Sequence, residues 1–192
     1  MGSNPTEGAI IYFFRNYELI ERQNIIKFLG KEVTVIGKDI KIGQIAPEFS
    51  ATTQEWNQIP VLEKTNNKIR IIASVPSLDT NLCNREEIIF YKQLLDFSKE
   101  IVVIIISTDL PFAQKRWRNA DGMNQVKILS DHHSVQFGEM YACLLKEPRI
   151  LRKAIFIINK SGVVEFSEYM SDLEANPDYK VIFRVVKKLL SD

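Results

Sequence analysis

The stretch VPSLDTNLC (75–83) brings a proline, a hydroxyl and a thiol together at the end of an apolar run. Pro76 ends that run, because proline has no N–H to give to a strand ladder. A helix is predicted to begin near Leu82, with Thr80 available as its N-cap. Cys83 then falls in the first helical turn, where free backbone N–H groups and the positive end of the helix dipole favour a thiolate over a thiol. The thiolate is the nucleophilic form of cysteine. Thr80 Oγ is placed to hydrogen-bond the sulfur or an incoming oxygen, and Pro76 to shield the floor of a pocket from water. Glu86 and Glu87 come in the next turn and would oppose ionisation if close. The plainer alternative for Cys83 is a small buried hydrophobe, the usual fate of a free cysteine.

The other candidates are few. Cys143 is the only other cysteine, so neither a disulfide scaffold nor a C-x-x-C dithiol is possible. His132 and His133 are the only histidines, and adjacent side chains diverge on any regular element, so no metal site is expected. No cofactor is expected. Asp79, Ser77 and the two histidines receive no role beyond loop and surface.

These residues must be held by elements, and the apolar patterning supplies them. IIKF (25–28) and EVTVI (32–36) flank Leu29-Gly30-Lys31 as a strand–turn–strand pair. A loop containing Pro47 and Pro60 comes next. IRIIASV (69–75) and IVVIIIS (101–107) are near-continuous apolar runs of strand length, the pattern of strands covered on both faces. Between them Phe90, Leu94 and Phe97, with Tyr91 and Leu95 beside them, mark the stripe of a helix. Pro111 can open another helix through Trp117. VKILS (126–130) is a short strand, 134–141 a helical turn or two, and KAIFII (153–158) with VVEFSEY (163–169) a hairpin across Asn159-Lys160-Ser161-Gly162. Asn176 and Pro177 read as the N-cap and first residue of a final helix whose apolar face is Tyr179, Ile182, Phe183, Val186, Leu189 and Leu190. The order predicts an α/β fold with a central mixed sheet flanked by helices and an N-terminal β-hairpin. Residues 1–24 join no pattern and are read as an N-terminal extension, with residues 25–192 as one domain.

Composition narrows the class. In 192 residues, 45% are hydrophobic and 26% charged, which is enough apolar surface for a core. The net charge of +1 gives no electrostatic reason to expect nucleic acid or an anionic membrane as partner. The apolar runs at 9–14 and 101–106 are too short for a membrane span or a secretory signal, so a cytoplasmic protein is expected.

PSLDTNLC (76–83) also matches P-x-x-x-T-x-x-C, the peroxidatic motif of the peroxiredoxins, at every fixed position. With STDLPFAQKRW (107–117), ILSDHHSVQFGEMY (128–141) and NPDY (176–179), the chain most resembles the thiol peroxidases of that family, from about Ile25 to the end. The resemblance implies a thioredoxin-like fold and an enzyme that reduces hydrogen peroxide and organic hydroperoxides. Cys83 matches the cysteine that attacks the peroxide and becomes a sulfenic acid, Thr80 the hydroxyl beside it and Pro76 the sheltering proline. A fourth family residue, an arginine before the strand of the hairpin, is matched by Lys153. Lys keeps the charge but lacks the planar fork. Arg152, which alternation sends to the other face, and Arg149 in the preceding loop stand as substitutes.

The resemblance has one gap. The family's resolving cysteine lies two residues beyond the basic residue matched by Arg116, and Arg118 stands there. Cys143 is read as core packing, with a substitute resolving thiol as the alternative. If it is core, an external thiol, thioredoxin or a low-molecular-weight one, must attack the Cys83 sulfenic acid. A homodimer is implied as well, and Phe112 and Trp117 could line a peroxide pocket, a subunit contact or the core. The competing reading of the whole chain is a degenerate member that serves as a redox sensor or protein-interaction module without turnover.

Overall fold

The computed structural model describes residues 20–79, 85–121, 124–173 and 175–191. Among these residues eleven strands form two sheets, accompanied by four α-helices. The larger sheet is built on β5 (Ile69–Ser74), β6 (Ile101–Ser107) and β7 (Lys127–Ser130), which run parallel in adjacent places. Parallel neighbours need crossovers, and α1 (Arg85–Phe97) and α2 (Pro111–Asp121) provide them. β10 (Ala154–Ile158) adds antiparallel to β5, and β11 (Val164–Tyr169) to β10. On the far side β3 (Ser50–Thr52) pairs with β7 and with β4 (Gln58–Pro60). The sheet is therefore mixed, as the patterning predicts.

The continuous apolar runs have a simple cause: both faces of the sheet are covered. Odd-numbered residues of the inner strands (Ile71, Val103, Ile105, Ile155, Ile157) face α1 and α4 (Tyr179–Ser191), where Tyr91, Leu94, Ile182 and Val186 meet them. Even-numbered residues (Ile72, Ile104, Ile106, Phe156, Ile158) face a second layer containing Phe49, Phe137, Tyr141 and Cys143. A strand with water on one face would have shown polar residues at alternate places.

The second sheet has the order β1 (Glu21–Phe28), β2 (Lys31–Ile36), β8 (Leu144–Leu145), β9 (Ile150–Leu151). Leu29 and Gly30 both have positive φ, 50° and 78°, as a two-residue hairpin loop of the tight mirror-image type requires. β1 begins at Glu21 rather than at Ile25. The strands β3, β4, β8 and β9 are not predicted by the patterning. They are two or three residues long and exist because a partner lies beside them, not because their residues alternate.

The last helix starts later than its sequence suggests. Asp178, not Asn176, caps it, its Oδ1 accepting the N–H groups of Lys180 (3.0 Å) and Val181 (3.1 Å). Asn176 has other partners, described below. α2 likewise extends to Asp121, beyond Trp117.

Candidate active site

Three parallel strands finish at the same end of the large sheet, and the turn after β5 leaves from that end. Val75 still bonds to the sheet, its N–H donating to Ile106 O (3.0 Å). Pro76 comes next and is buried. Ser77, Leu78 and Asp79 make the turn, with Leu78 packed into the core at 2% exposure. Thr80 and Cys83 lie outside the described residues, as do the side chains of Glu86 and Glu87. α1 is described from Arg85 and packs its Phe90, Tyr91 and Leu94 on the odd face of the sheet.

The candidate cations separate by strand parity and register. Ala154 pairs with Ser74, so Lys153 stands one step further along, level with the end of β5. Its odd number sends its side chain to the face that carries α1 and α4. It is 2% exposed, and its Nζ donates to Asn176 Oδ1 (3.3 Å), which approaches from the segment before α4. A lysine is almost never so buried without partners. Lys153 and Pro76 thus come to the same end of two neighbouring interior strands.

Arg152 goes to the opposite face. Its Nε donates to Ala142 O (2.6 Å), its guanidinium pairs with Asp39, and the group lies 3.8 Å from the centroid of the Tyr169 ring. Those contacts hold it in the layer with Cys143, on the face opposite Lys153. Arg149 is exposed at a left-handed φ of 57° in the turn between β8 and β9.

Cys143 sits in the even-face core at 0% exposure. Its Sγ–H donates to Tyr141 O (3.4 Å), and burial pushes the thiol up to about 12 despite the nearby Arg152 charge. That is the setting of a packed, un-ionised thiol. Trp117 packs against the odd-face core, whereas Phe112 is 68% exposed.

One buried-turn contact is not predicted by the sequence motifs. Asp109, between β6 and α2, accepts three hydrogen bonds on its carboxylate. Ser77 Oγ–H donates to Oδ1 (2.7 Å), while Leu78 N–H (2.7 Å) and Ser107 Oγ–H (2.9 Å) donate to Oδ2. Arg116 adds a paired contact to the Asp79 carboxylate (3.0 and 2.8 Å). A signal was present: Ser107 and Asp109 are short polar residues at the end of an apolar strand and just before Pro111, where such side chains bond to backbone.

The AhpC/TSA family model matches residues 42–167. Thiol peroxidases from Halalkalibacterium halodurans and Streptococcus agalactiae are 35% and 36% identical to the chain over 165 and 162 residues. Those alignments cover 86% and 84% of this chain and 98% of each relative. A solved peroxiredoxin-like protein from Aquifex aeolicus superposes with a TM-score of 0.76 at 29% identity, covering 90% of this chain and 99% of that one. A thiol peroxidase from Chromobacterium violaceum, at 20% identity and a TM-score of 0.75, shares the fold. Fold and relatives together define a thioredoxin-like oxidoreductase of the peroxiredoxin class. The chain belongs to the AhpC/TSA family, and within it to the thiol peroxidases.

Proposed function

We propose that the chain reduces hydroperoxides with Cys83 as the attacking thiol, assisted by Thr80, Pro76 and Lys153. The observation that supports this most is the placement of Lys153. A buried lysine stands at the end of β5, on the face of α1, where the chain enters PSLDTNLC (76–83). A positive charge near the sulfur favours its thiolate.

The thiolate attacks the terminal oxygen of ROOH. The S–O bond forms, the O–O bond breaks, and the leaving alkoxide takes a proton to depart as ROH. Cys83 is left as a sulfenic acid, oxidised by two electrons, and the peroxide is reduced by two. Arg118 stands where the family's resolving thiol would be, and Cys143 is buried. The cycle is therefore one-cysteine in type. An external thiol attacks the sulfenic sulfur and releases water, and a second thiol splits the mixed disulfide to return Cys83 and a reductant disulfide. Thioredoxin or a low-molecular-weight thiol fills that part, which fits a cytoplasmic protein because thiols are kept reduced there. The relatives disfavour the alternative of a sensor without turnover.

The test uses fully reduced protein mixed with a slight excess of cumene hydroperoxide, with dimedone trapping and then mass spectrometry. An adduct on Cys83, and turnover with a supplied thiol, are expected. Lys153→Met should slow the oxidation step by about 100- to 1,000-fold, the loss typical of removing one stabilising donor at a reacting centre. Lys153→Arg should retain most of the rate. No adduct on Cys83 while a control peroxiredoxin consumes the same peroxide would falsify the assignment.

A further inference from the structure

Ser77, Leu78 and Asp79 are the last described residues before Thr80 and Cys83 in the chain. The Asp109 carboxylate holds two of the three directly, through Ser77 Oγ–H and Leu78 N–H. The third is tied indirectly, because Asp79 N–H donates to Ser77 Oγ (3.1 Å). Asp109 is itself fastened on the other side. Its N–H donates to Ser107 Oγ (3.3 Å), its carbonyl accepts Ser130 Oγ–H, and Ser107 Oγ also accepts from the Nε2 of buried Gln114 (3.1 Å). Gln114 continues to Leu129 O (2.8 Å) on β7. A chain of hydrogen bonds thus runs from the inner strands of the sheet to the turn.

We propose that Asp109 is a positioning residue for the Cys83 reaction, clamping the 77–79 turn through its carboxylate and so setting where the thiol in the next segment stands. The proposal rests on the reading of Cys83 as the peroxide-attacking thiol. The carboxylate accepts from all three groups at once, and of these Leu78 N–H cannot reverse its polarity. Asp109→Asn is nearly isosteric but turns one acceptor into a donor. A displacement of about 1 Å at a reacting atom can cost about 100-fold in rate.

The experiment compares parent and D109N as full chains, reduced, in single-turnover oxidation by cumene hydroperoxide with dimedone capture at Cys83. The pH dependence of iodoacetamide alkylation is measured at both cysteines. D109N is expected to lower the Cys83 oxidation rate about 10- to 100-fold and to move the alkylation midpoint of Cys83 to higher pH, while Cys143 stays unlabelled. A rate within three-fold of parent, an unmoved Cys83 midpoint, or labelling of Cys143 alongside Cys83 overturns the proposal; the last would show a loosened fold rather than a misplaced thiol. Should D109N fail to fold, Ser77→Ala decides, since it removes one donor and leaves the carboxylate. A fall of three-fold or more supports the clamp, and a smaller one overturns it. A parent chain whose Cys83 resists peroxide overturns the peroxidase reading and this proposal with it, whereas a parent-like D109N overturns this proposal alone.

Discussion

A thiol reacts only as far as its surroundings let it ionise, and those of Cys143 let it ionise very little. Buried completely and pushed up to about 12, it should resist iodoacetamide from pH 7 to 9 in the folded chain and label fully in urea. Cys143→Ala should turn over peroxide at the parent rate, and a loss of turnover would make it a resolving thiol after all. Asp39 shows the opposite balance. Burial alone would raise its carboxyl, but the guanidinium groups of Arg22 (2.8 Å) and Arg152 outweigh that and hold it below the usual range. A lowered folded-state value means that its contribution to stability is complete above the unfolded value of about 3.9 and is lost as the pH falls through the folded value below it. Asp39 is half-exposed, so solvent screening limits the sum. Asp39→Asn should cost about 1–2 kcal/mol at pH 7, with a gap in urea midpoint that narrows near pH 3. A gap of constant size would refute the electrostatic cause.

Among the elements, the join between the two sheets is the least tolerant point. Gly37 comes directly after β2 with φ of +99°, and a Cβ built there would stand 2.1 Å from the backbone carbonyl oxygen of Glu139, in α3 (Gln136–Met140). Backbone cannot move aside as a side-chain tip can. Gly37→Ala should therefore destabilise by roughly 3 kcal/mol, combining a left-handed conformation with overpacking. Thermal unfolding of the variant beside the parent would show it, and a shift of less than about 2 °C would mean that α3 gives way. The contrast with the long strands is instructive. IVVIIIS (101–107) is legible because each residue has a core to fill on its own face. β8 and β9 are not, since Leu144, Leu145, Ile150 and Leu151 become strands only when β2 lies alongside. The helix after Pro177 was legible as a helix but not in its start, because Asn176 meets the distant Lys153 and leaves the cap to Asp178.

At the scale of the molecule, one outer face carries an aromatic group. Trp56 and Phe112 lie 5.0 Å apart between ring centroids and His132 5.6 Å from Trp56, with Trp56 and Phe112 at 46% and 68% exposure and Leu110 close by in sequence at 48%. Exposed apolar clusters of this kind favour association. Phe112→Ser should move the chain toward the monomer in light scattering at micromolar concentration. An unchanged mass would exclude this face as the contact. Among the described residues no helix is long and apolar enough to cross a membrane, and no three His, Cys, Asp or Glu side chains gather as a metal site would need.

Local physics was enough for much of this protein. Apolar runs without alternation announce strands covered on both sides, and a helical stripe announces α1. The hidden features depended on residues distant in the chain. That Lys153 rather than Arg152 faces α1 is a consequence of pairing with β5, 78 positions away at the bond from Ser74 Oγ–H to Arg152 O. That Cys143 is sealed off, and that Asp109 underlies the turn at 77–79, result from how the layers close over the sheet. No stretch of sequence carries those facts, because each is a distance between neighbours that only the folded register creates.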